Sequence, residues 1–171
     1  MSSHSRAPRR TSVVAAAALA LACADSPQAA SSDRPYGGSC STLVVPQGPS
    51  PSPGIPQLLN ITYDCTLAHL GRTSAVVQQV VSFVGAGPSG ILLSLANTTT
   101  YTAANGDQLL ATFQGTAALQ PQTGEVTFVG TEIFQGGNGR FTNASGVSQL
   151  EGTASVVTNR GFFSTKGRLS Y

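Results

Sequence analysis

Runs of β-branched and aromatic residues recur along the chain from residue 57 onward, and turn-forming residues separate them at intervals of roughly 10–15 residues. Short runs that mix apolar and polar positions in this way are typical of β-strands. The predicted strands are QLLNITYDCTLAHL, RTSAVVQQVVSFVG, ILLSLANTTTYTAA, QLLATFQGTAAL, EVTFVGTEIFQ, RFTNAS, GVSQLEGTASVV and FFSTKGRLSY.

Turn signals between these runs predict that consecutive strands form hairpins. The best of them is Asn105-Gly106-Asp107, because a type I′ turn needs positive φ at both central residues. GPSG, PQTG and TNRG mark further turns. The segment TSAVVQQVV also fits a helical period, but its threonine and valines favour a strand. No helix is therefore predicted.

Glycines inside the predicted strands, at Gly115, Gly130, Gly152 and Gly167, indicate bends or bulges of the kind that let a sheet curl shut. A meander of this length protects its edges best by closing on itself. We therefore predict an all-β fold, an antiparallel eight-stranded β-barrel. A two-layer β-sandwich is the alternative.

The N-terminus predicts export. Basic MSSHSRAPRR precedes the apolar run VVAAAALALA, which is typical of a signal peptide, here residues 1–22. Cys23 follows Ala-Leu-Ala and resembles the lipidated cysteine of a bacterial lipobox, although leucine is usual where Ala20 stands. The same small residues also suit ordinary signal peptidase. We favour lipidation at Cys23, which places the protein at the bacterial cell envelope; a periplasmic or extracellular protein is the alternative.

Composition divides the rest of the chain. Residues 23–38 are small and polar and predict a flexible tether. Residues 46–56 are rich in proline and predict a loop or extended coil. Between them, CSTLVV predicts a short strand or a covering segment. The prediction is thus one barrel domain, residues 39–171, with a proline-rich loop at 46–56.

The chain has three cysteines, so in an exported protein one of them remains outside any disulfide within the chain. If Cys23 carries a lipid, Cys40 and Cys65 remain to form a disulfide in an oxidising compartment. Two unpaired buried thiols are the alternative. Neither a metal site nor a cofactor is predicted, because no second Cys or His lies near either cysteine in the sequence.

Charge excludes a nucleic-acid partner. The chain's formal charge of +2 comes from the leader and tether. Within residues 39–171, five cationic side chains oppose five acidic ones, so no basic surface is predicted to meet nucleic acid or an anionic membrane. Contact with a membrane is expected only through a lipid anchor.

A glycine cluster followed by an arginine resembles a phosphate-binding loop. It consists of Gly136, Gly137, Asn138 and Gly139, with Arg140 directly after them. Such a loop needs a strand before its glycines and a helix after them. Here strand-like segments flank the cluster on both sides, and no Lys-Ser or Lys-Thr follows. The cluster therefore predicts a hairpin corner with positive φ.

The segment FVGTEIFQGGNGRFTNASG, with GTA soon after it and GRLSY at the end, resembles an uncharacterised family of bacterial exported proteins and lipoproteins. Their pattern is a strand, then Gly-Gly-Thr-Gly-Arg-Phe, then Ala-x-Gly; Asn138 replaces the threonine. AHLGRTS and TTTYTAANGDQLLATFQGT also resemble them, so the likeness spans most of residues 60–171. The Gly-Arg-Phe corner is similar to that of the plant allene oxide cyclase and dirigent barrel. That resemblance implies an eight-stranded barrel, and a shared fold does not by itself give the function.

The predicted domain offers little for catalysis. Its one histidine, His69, would have to act as the base of any Ser-His-Asp triad, and Asp64 lies nearby in sequence. No Gly-x-Ser-x-Gly segment supplies a nucleophile. We expect His69 to be structural and predict no catalytic residue.

Glu132 is the most interesting ionisable residue. Strand alternation places it on one face with Val126, Phe128, Gly130 and Phe134. If that face points inward, a carboxylate enters an apolar barrel and needs Arg140 or Arg72 as a partner, or takes a raised pKa. A surface carboxylate or a buried structural ion pair is the alternative. The predicted cavity residues are Glu132, Phe128, Arg140 and Arg72.

The functional expectation is a binding or structural role at the cell envelope. A barrel of about eight strands holds one small ligand or is filled by its own side chains. A small apolar molecule is the expected partner if a cavity exists. The alternatives are an isomerase or cyclase acting on a small apolar substrate, as the resemblance implies, and a pure interaction module. An open apolar cavity with a few converging polar groups would separate the first two from the third.

Overall fold

The computed structural model describes residues 32–88 and 90–171, which form a closed β-barrel. Each strand pairs antiparallel with the next, and the last pairs with the first, so the sheet has no free edge. The predicted eight-stranded antiparallel barrel is thus confirmed, and the sandwich is excluded. The strands are β1 (Asp33–Gln47), β2 (Gln57–Leu67), β3 (Gly71–Gly87), β4 (Gly90–Thr102), β5 (Gln108–Gln120), β6 (Glu125–Gly137), β7 (Ser145–Ser155) and β8 (Arg160–Ser170). The strand predicted for RFTNAS does not form, and β1 completes the eight instead.

The two ends of the barrel differ. At the closed end, the connections β2–β3, β4–β5 and β6–β7 bury Leu70, Ala103, Phe141 and Ala144. At the other end, which we call the mouth, the connections β1–β2, β5–β6 and β7–β8 carry exposed residues such as Val157. The closed end is therefore plugged by apolar side chains, whereas the mouth faces solvent.

Inward-facing side chains fill the closed half of the barrel. Strand alternation buries every second residue there, including Leu67, Leu109, Phe134 and Leu169. Each fully buried side chain of this size stabilises the fold by about 1.5–3 kcal/mol. Closer to the mouth only a small buried cluster remains, formed by Val81, Leu93 and Ala117. The packing thus leaves space in the mouth half.

Only some of the predictions for the N-terminal segment fall on residues that the structure describes. The signal peptide predicted for residues 1–22 and the lipidation site Cys23 lie outside the described residues. Within the tether predicted for residues 23–38, β1 already begins at Asp33 and pairs with β8. Tyr36 from this segment is buried, with its ring 4.8 Å from that of Phe134. Pairing with the distant last strand orders a sequence whose local composition favours coil.

The predicted disulfide is present. Cys40 and Cys65 lie directly opposite each other in the β1–β2 pair, with a Cα–Cα distance of 4.0 Å, and both are buried. The bond joins two paired strands, and the proline-rich loop connects those strands along the chain. That loop runs between Gln47 and Gln57, so the beginning of the predicted segment 46–56 still belongs to β1.

The glycines for which bends or bulges were predicted carry no bulge. Strand register runs unbroken through Gly115, which pairs with Gly130, and through Gly152. The register shifts occur elsewhere, at Phe83/Gly85 and at Leu109/Ala111. A Cβ at Gly115 would lie 2.7 Å from the ring of Phe113, and one at Gly152 would lie 2.7 Å from that of Phe128. These glycines therefore leave room on the barrel wall for aromatic rings.

Substituting one of these glycines is expected to destabilise the barrel. A Cβ at Gly130 would clash with the ring of Phe113 and would lie 2.5 Å from the carbonyl oxygen of Gln114. We expect Gly130→Ala to lower the free energy of unfolding by about 1–3 kcal/mol, the usual cost of overpacking. Urea denaturation measures the change. Gly87→Ala is the matched control, because a Cβ there meets nothing within 4 Å; equal stability of the two variants would contradict this account.

Candidate ligand-binding site

A cavity of about 600 Å³ runs from the mouth into the barrel. Its wall is mostly aliphatic and aromatic, with contributions from all eight strands. Among the described residues that line it, Glu132 is the only one that carries a charge. The lining includes Val44, Leu59, Ile61, Tyr63, Gln79, Val81, Leu93, Leu95, Asn97, Tyr101, Phe113, Phe128, Glu132 and Phe163.

Glu132 lies where the open half of the barrel meets the packed half. It is 1% exposed, and its neighbours of the same parity on β6, Phe128 and Phe134, also face inward. The Tyr101 hydroxyl on β4 donates to Glu132 Oε1 at 2.7 Å. The Ser148 hydroxyl donates to Oε2 at 3.1 Å from β7, where Ser148 pairs directly with Glu132. Two hydroxyl donors from different strands thus hold the carboxyl group.

The surroundings change the acidity of this carboxyl group. Burial raises the pKa of Glu132 to about 7, although the hydrogen bonds from Tyr101 and Ser148 lower it. Burial, together with the nearby Glu132 charge, also raises the pKa of Tyr36, Tyr63 and Tyr101 well above the ordinary tyrosine value. Near neutral pH, Glu132 is therefore the group that can exchange a proton, while the surrounding phenols stay neutral.

The predicted arginine partners lie elsewhere. Arg72 is next to the inward-facing Thr73 on β3 and so points outward; its side chain is 81% exposed and pairs with Asp64 at 3.3 Å. Arg140 lies in the β6–β7 connection, where its guanidinium donates to the carbonyl oxygen of His69 at 2.6 Å and lies 3.6 Å from Asp107. Neither arginine belongs to the cavity lining, and the ion pair predicted for Glu132 does not form.

A second polar group, which the sequence did not reveal, lies on the wall formed by β3 and β4. Asn97 Nδ2 donates to Gln79 Oε1 at 2.6 Å, and the Thr99 hydroxyl donates to Asn97 Oδ1 at 3.0 Å. These side chains share the parity of Val81 and Tyr101, and that pattern could have identified them once the inward face was known. Their side chains hydrogen-bond one another, and Glu132 is the charged residue among the described residues of the lining.

The glycine corner lies at the closed end, away from the cavity. Gly136 and Gly139 have positive φ values of 95° and 55°, as predicted, but Asn138 has φ −128°. Its side chain instead bridges to β5: Oδ1 accepts from the Gln108 backbone N–H at 2.7 Å. A 3₁₀ turn, Gly139–Phe141, then seats the Phe141 ring in the core. The corner is thus a structural connection.

The contacts of His69 indicate a structural role. The residue takes a positive φ of 68° in the β2–β3 connection, and its Nε2 is 2.9 Å from the carbonyl oxygen of Pro35. Its ring lies 5.9 Å from that of Tyr171. It is not part of the cavity lining.

Known proteins and other kinds of site give this chain no further assignment. No family model, curated protein or solved structure matches the chain. Within residues 32–88 and 90–171, no cluster of three or more His, Cys, Asp or Glu side chains could hold a metal ion. The same residues contain no helix long and apolar enough to cross a membrane. The cavity with Glu132 therefore remains the candidate site.

Proposed function

We propose that this protein is an exported, lipid-anchored β-barrel that binds a small apolar ligand in its cavity at the bacterial cell envelope. The observation that carries the proposal is an open apolar cavity with a single buried carboxyl group at its inner end. Its volume of about 600 Å³ falls within the usual range of small-molecule sites. A ligand there would bury apolar surface on every side, which is the main source of affinity for such molecules.

The shape of the wall supports ligand binding over a purely structural barrel. Small barrels are often filled by their own side chains. Here Gly115, Gly130 and Gly152 accommodate the rings of Phe113 and Phe128, and Leu95 is only partly buried although it faces inward. The two phenyl rings thus lie against glycines of the barrel wall, and the space in the mouth half is not filled by side chains.

The disulfide supports the export part of the proposal. Bonds such as Cys40–Cys65 persist in oxidising compartments outside the cytoplasm. The predicted signal peptide and Cys23 point to the same destination. Labelling cells with a radioactive fatty acid tests the anchor: incorporation that disappears in Cys23→Ser supports it, and a soluble, unlabelled protein contradicts it.

Filling the cavity is expected to abolish binding of an apolar probe. N-phenyl-1-naphthylamine is an aromatic probe, uncharged at neutral pH, whose fluorescence rises in apolar surroundings. We expect wild-type protein to bind it and Leu95→Trp to lose at least about tenfold in affinity, because the added ring occupies the space of the probe.

Thr98→Trp is the matched control, since Thr98 lies on the same strand and is exposed. It should bind the probe as wild type does. Circular dichroism of the variants checks that the barrel is intact. Undetectable binding to wild type, or equal binding to folded Leu95→Trp, would contradict a ligand-binding cavity.

An isomerase or cyclase is a second candidate, favoured by the acidity of Glu132. A carboxyl group with a pKa of about 7 beside the Tyr101 hydroxyl can remove and return a proton at neutral pH. Ligand recovered from natively purified protein after incubation in D₂O tests this. Deuterium on a ligand carbon with wild type but not with Glu132→Gln supports catalysis; an unlabelled ligand favours binding alone.

A further inference from the structure

When Glu132 is ionised, the inner end of the cavity carries a negative charge, and no positive side chain among the described lining residues balances it. Glu132 lies there, and the described residues of the lining include no Lys, Arg or His. Each carboxylate oxygen accepts one hydrogen bond, from Tyr101 or from Ser148. A carboxylate oxygen can accept two, so the group keeps acceptor capacity for a ligand.

Aromatic rings stand beside this carboxyl group. The Tyr63 ring is stacked 6.5 Å from that of Tyr101 and lies edge-on 5.2 Å from that of Phe163, and all three residues line the cavity. Phe128 extends the series, 6.5 Å from Phe163. Aromatic rings attract organic cations, most strongly in sites shielded from water. The chemistry of the inner end thus suits a positive group.

The rest of the cavity suits an apolar body. Between Glu132 and the mouth, the wall is formed mainly by Leu59, Val81, Leu93, Leu95 and Leu119. Once Glu132 is ionised, it would repel a carboxylate ligand in surroundings of low dielectric constant, and a neutral ligand would leave its charge unpaired.

We propose that the ligand is a hydrophobic amine, an alkyl- or arylammonium ion whose nitrogen pairs with Glu132 and whose apolar body fills the cavity towards the mouth. This inference rests on the proposed binding function and specifies its ligand class. The ammonium hydrogens bond the free acceptor positions of Glu132, while Tyr101 and Ser148 keep the carboxylate in place.

Binding of such an amine depends on pH through Glu132. The titratable groups that face it are Tyr36 from β1, Tyr63 from β2 and Tyr101 from β4, and all three stay neutral because their pKa values are raised. Below about pH 7 the free protein holds a proton on Glu132 that must leave before the ion pair forms. Amine affinity should therefore fall about tenfold for each pH unit below 7, whereas alcohol affinity should not change.

The test compares octylamine, octanol and octanoate, which share one chain length and differ in the head group. Each competes with N-phenyl-1-naphthylamine at pH 8, and calorimetry measures direct binding. We expect octylamine to act at a concentration at least about tenfold lower than octanol, the effect of one charge-assisted hydrogen bond, and octanoate to be weakest. Glu132→Gln should remove the preference for the amine and keep octanol binding. Glu151→Gln, which removes an exposed carboxylate on β7, should change nothing.

The outcomes separate this inference from the proposed function. Binding of octanol or octanoate at least as tight as that of octylamine overturns the amine assignment and leaves a ligand-binding barrel. A preference that persists in Glu132→Gln, or that does not weaken between pH 8 and pH 5 in wild type, also overturns it. No binding of the probe or of any of the three chains overturns both. The wild-type pH series decides the matter even if Glu132→Gln fails to fold.

Discussion

Replacing Glu132 by glutamine is expected to remove about 3 kcal/mol of pH dependence from the free energy of unfolding. Burial raises the pKa of Glu132 to about 7 from an ordinary value of 4.5, and each unit is worth about 1.4 kcal/mol. Below pH 4.5 both folded and unfolded chains hold the proton, so the buried carboxyl group carries no ionisation penalty. Between pH 4.5 and 7 the unfolded chain loses its proton first, and stability falls. Above pH 7 the loss is complete.

Urea denaturation of wild type and Glu132→Gln at pH 4, 6 and 8 measures this difference. Wild type should lose about 3 kcal/mol more than the variant between pH 4 and pH 8. Glutamine can hydrogen-bond the hydroxyls of Tyr101 and Ser148, which donate or accept as needed, so the variant should fold. Glu151→Gln is the exposed control and should follow wild type. Parallel pH profiles for wild type and Glu132→Gln would show that the pKa of Glu132 is the same in the folded and the unfolded chain, so that burial does not raise it.

Loss of the Cys40–Cys65 disulfide is expected to have an effect of similar size. The bond joins residues 25 apart in sequence and restrains the unfolded chain around the proline-rich loop. On loop length alone it stabilises the folded state by about 3 kcal/mol. The Cys40→Ala/Cys65→Ala variant should therefore unfold at a clearly lower urea concentration than the oxidised protein.

Reductant provides the control for this experiment. Dithiothreitol should lower the unfolding midpoint of wild type towards that of the double variant and leave the variant itself unchanged. Because both cysteines are buried, the reductant should be added before refolding, so that it reaches the bond. Coincident unfolding curves for oxidised wild type, reduced wild type and variant would contradict a stabilising disulfide.

Most of the fold could be predicted from the sequence because strands and hairpin turns are determined by residues close together in the chain. Alternation and β-branched residues identify strands such as EVTFVGTEIFQ, and Asn105-Gly106-Asp107 identifies a hairpin within a few residues. The segment Asp33–Gly38 shows the limit. Its proline and glycines favour coil, and only pairing with β8, more than a hundred residues away, makes it a strand. Such a contact leaves no trace in the segment's own composition.

Only the part of the candidate site that lies on β6 could be predicted from the sequence. Alternation along β6 placed Glu132 beside Phe128, and the structure places both in the cavity. The partners of Glu132 could not be found in this way. Tyr101 lies on β4, and its approach to Glu132 depends on how the whole sheet closes. Opposite charge favours Arg72 and Arg140 as partners, whereas neutral hydroxyls hold the carboxyl group.

The glycines illustrate a further limit of sequence reasoning. A glycine within a strand is compatible both with a bulge and with close approach of another group. Which of the two applies at Gly130 depends on Phe113 of the neighbouring strand, whose ring occupies the space of the missing Cβ. Residues in neighbouring strands therefore decide between interpretations that the segment leaves open.

The most direct test of this account is an NMR titration of the glutamate side-chain carboxyl carbons in ¹³C-labelled protein. Glu125, Glu132 and Glu151 each give a signal, which Glu→Gln variants assign. We expect a midpoint near pH 7 for Glu132, shifted to lower pH when octylamine binds. A Glu132 midpoint near 4.5 that octylamine leaves unchanged would contradict it, because the carboxyl group would then be exposed to water and not buried in an apolar cavity.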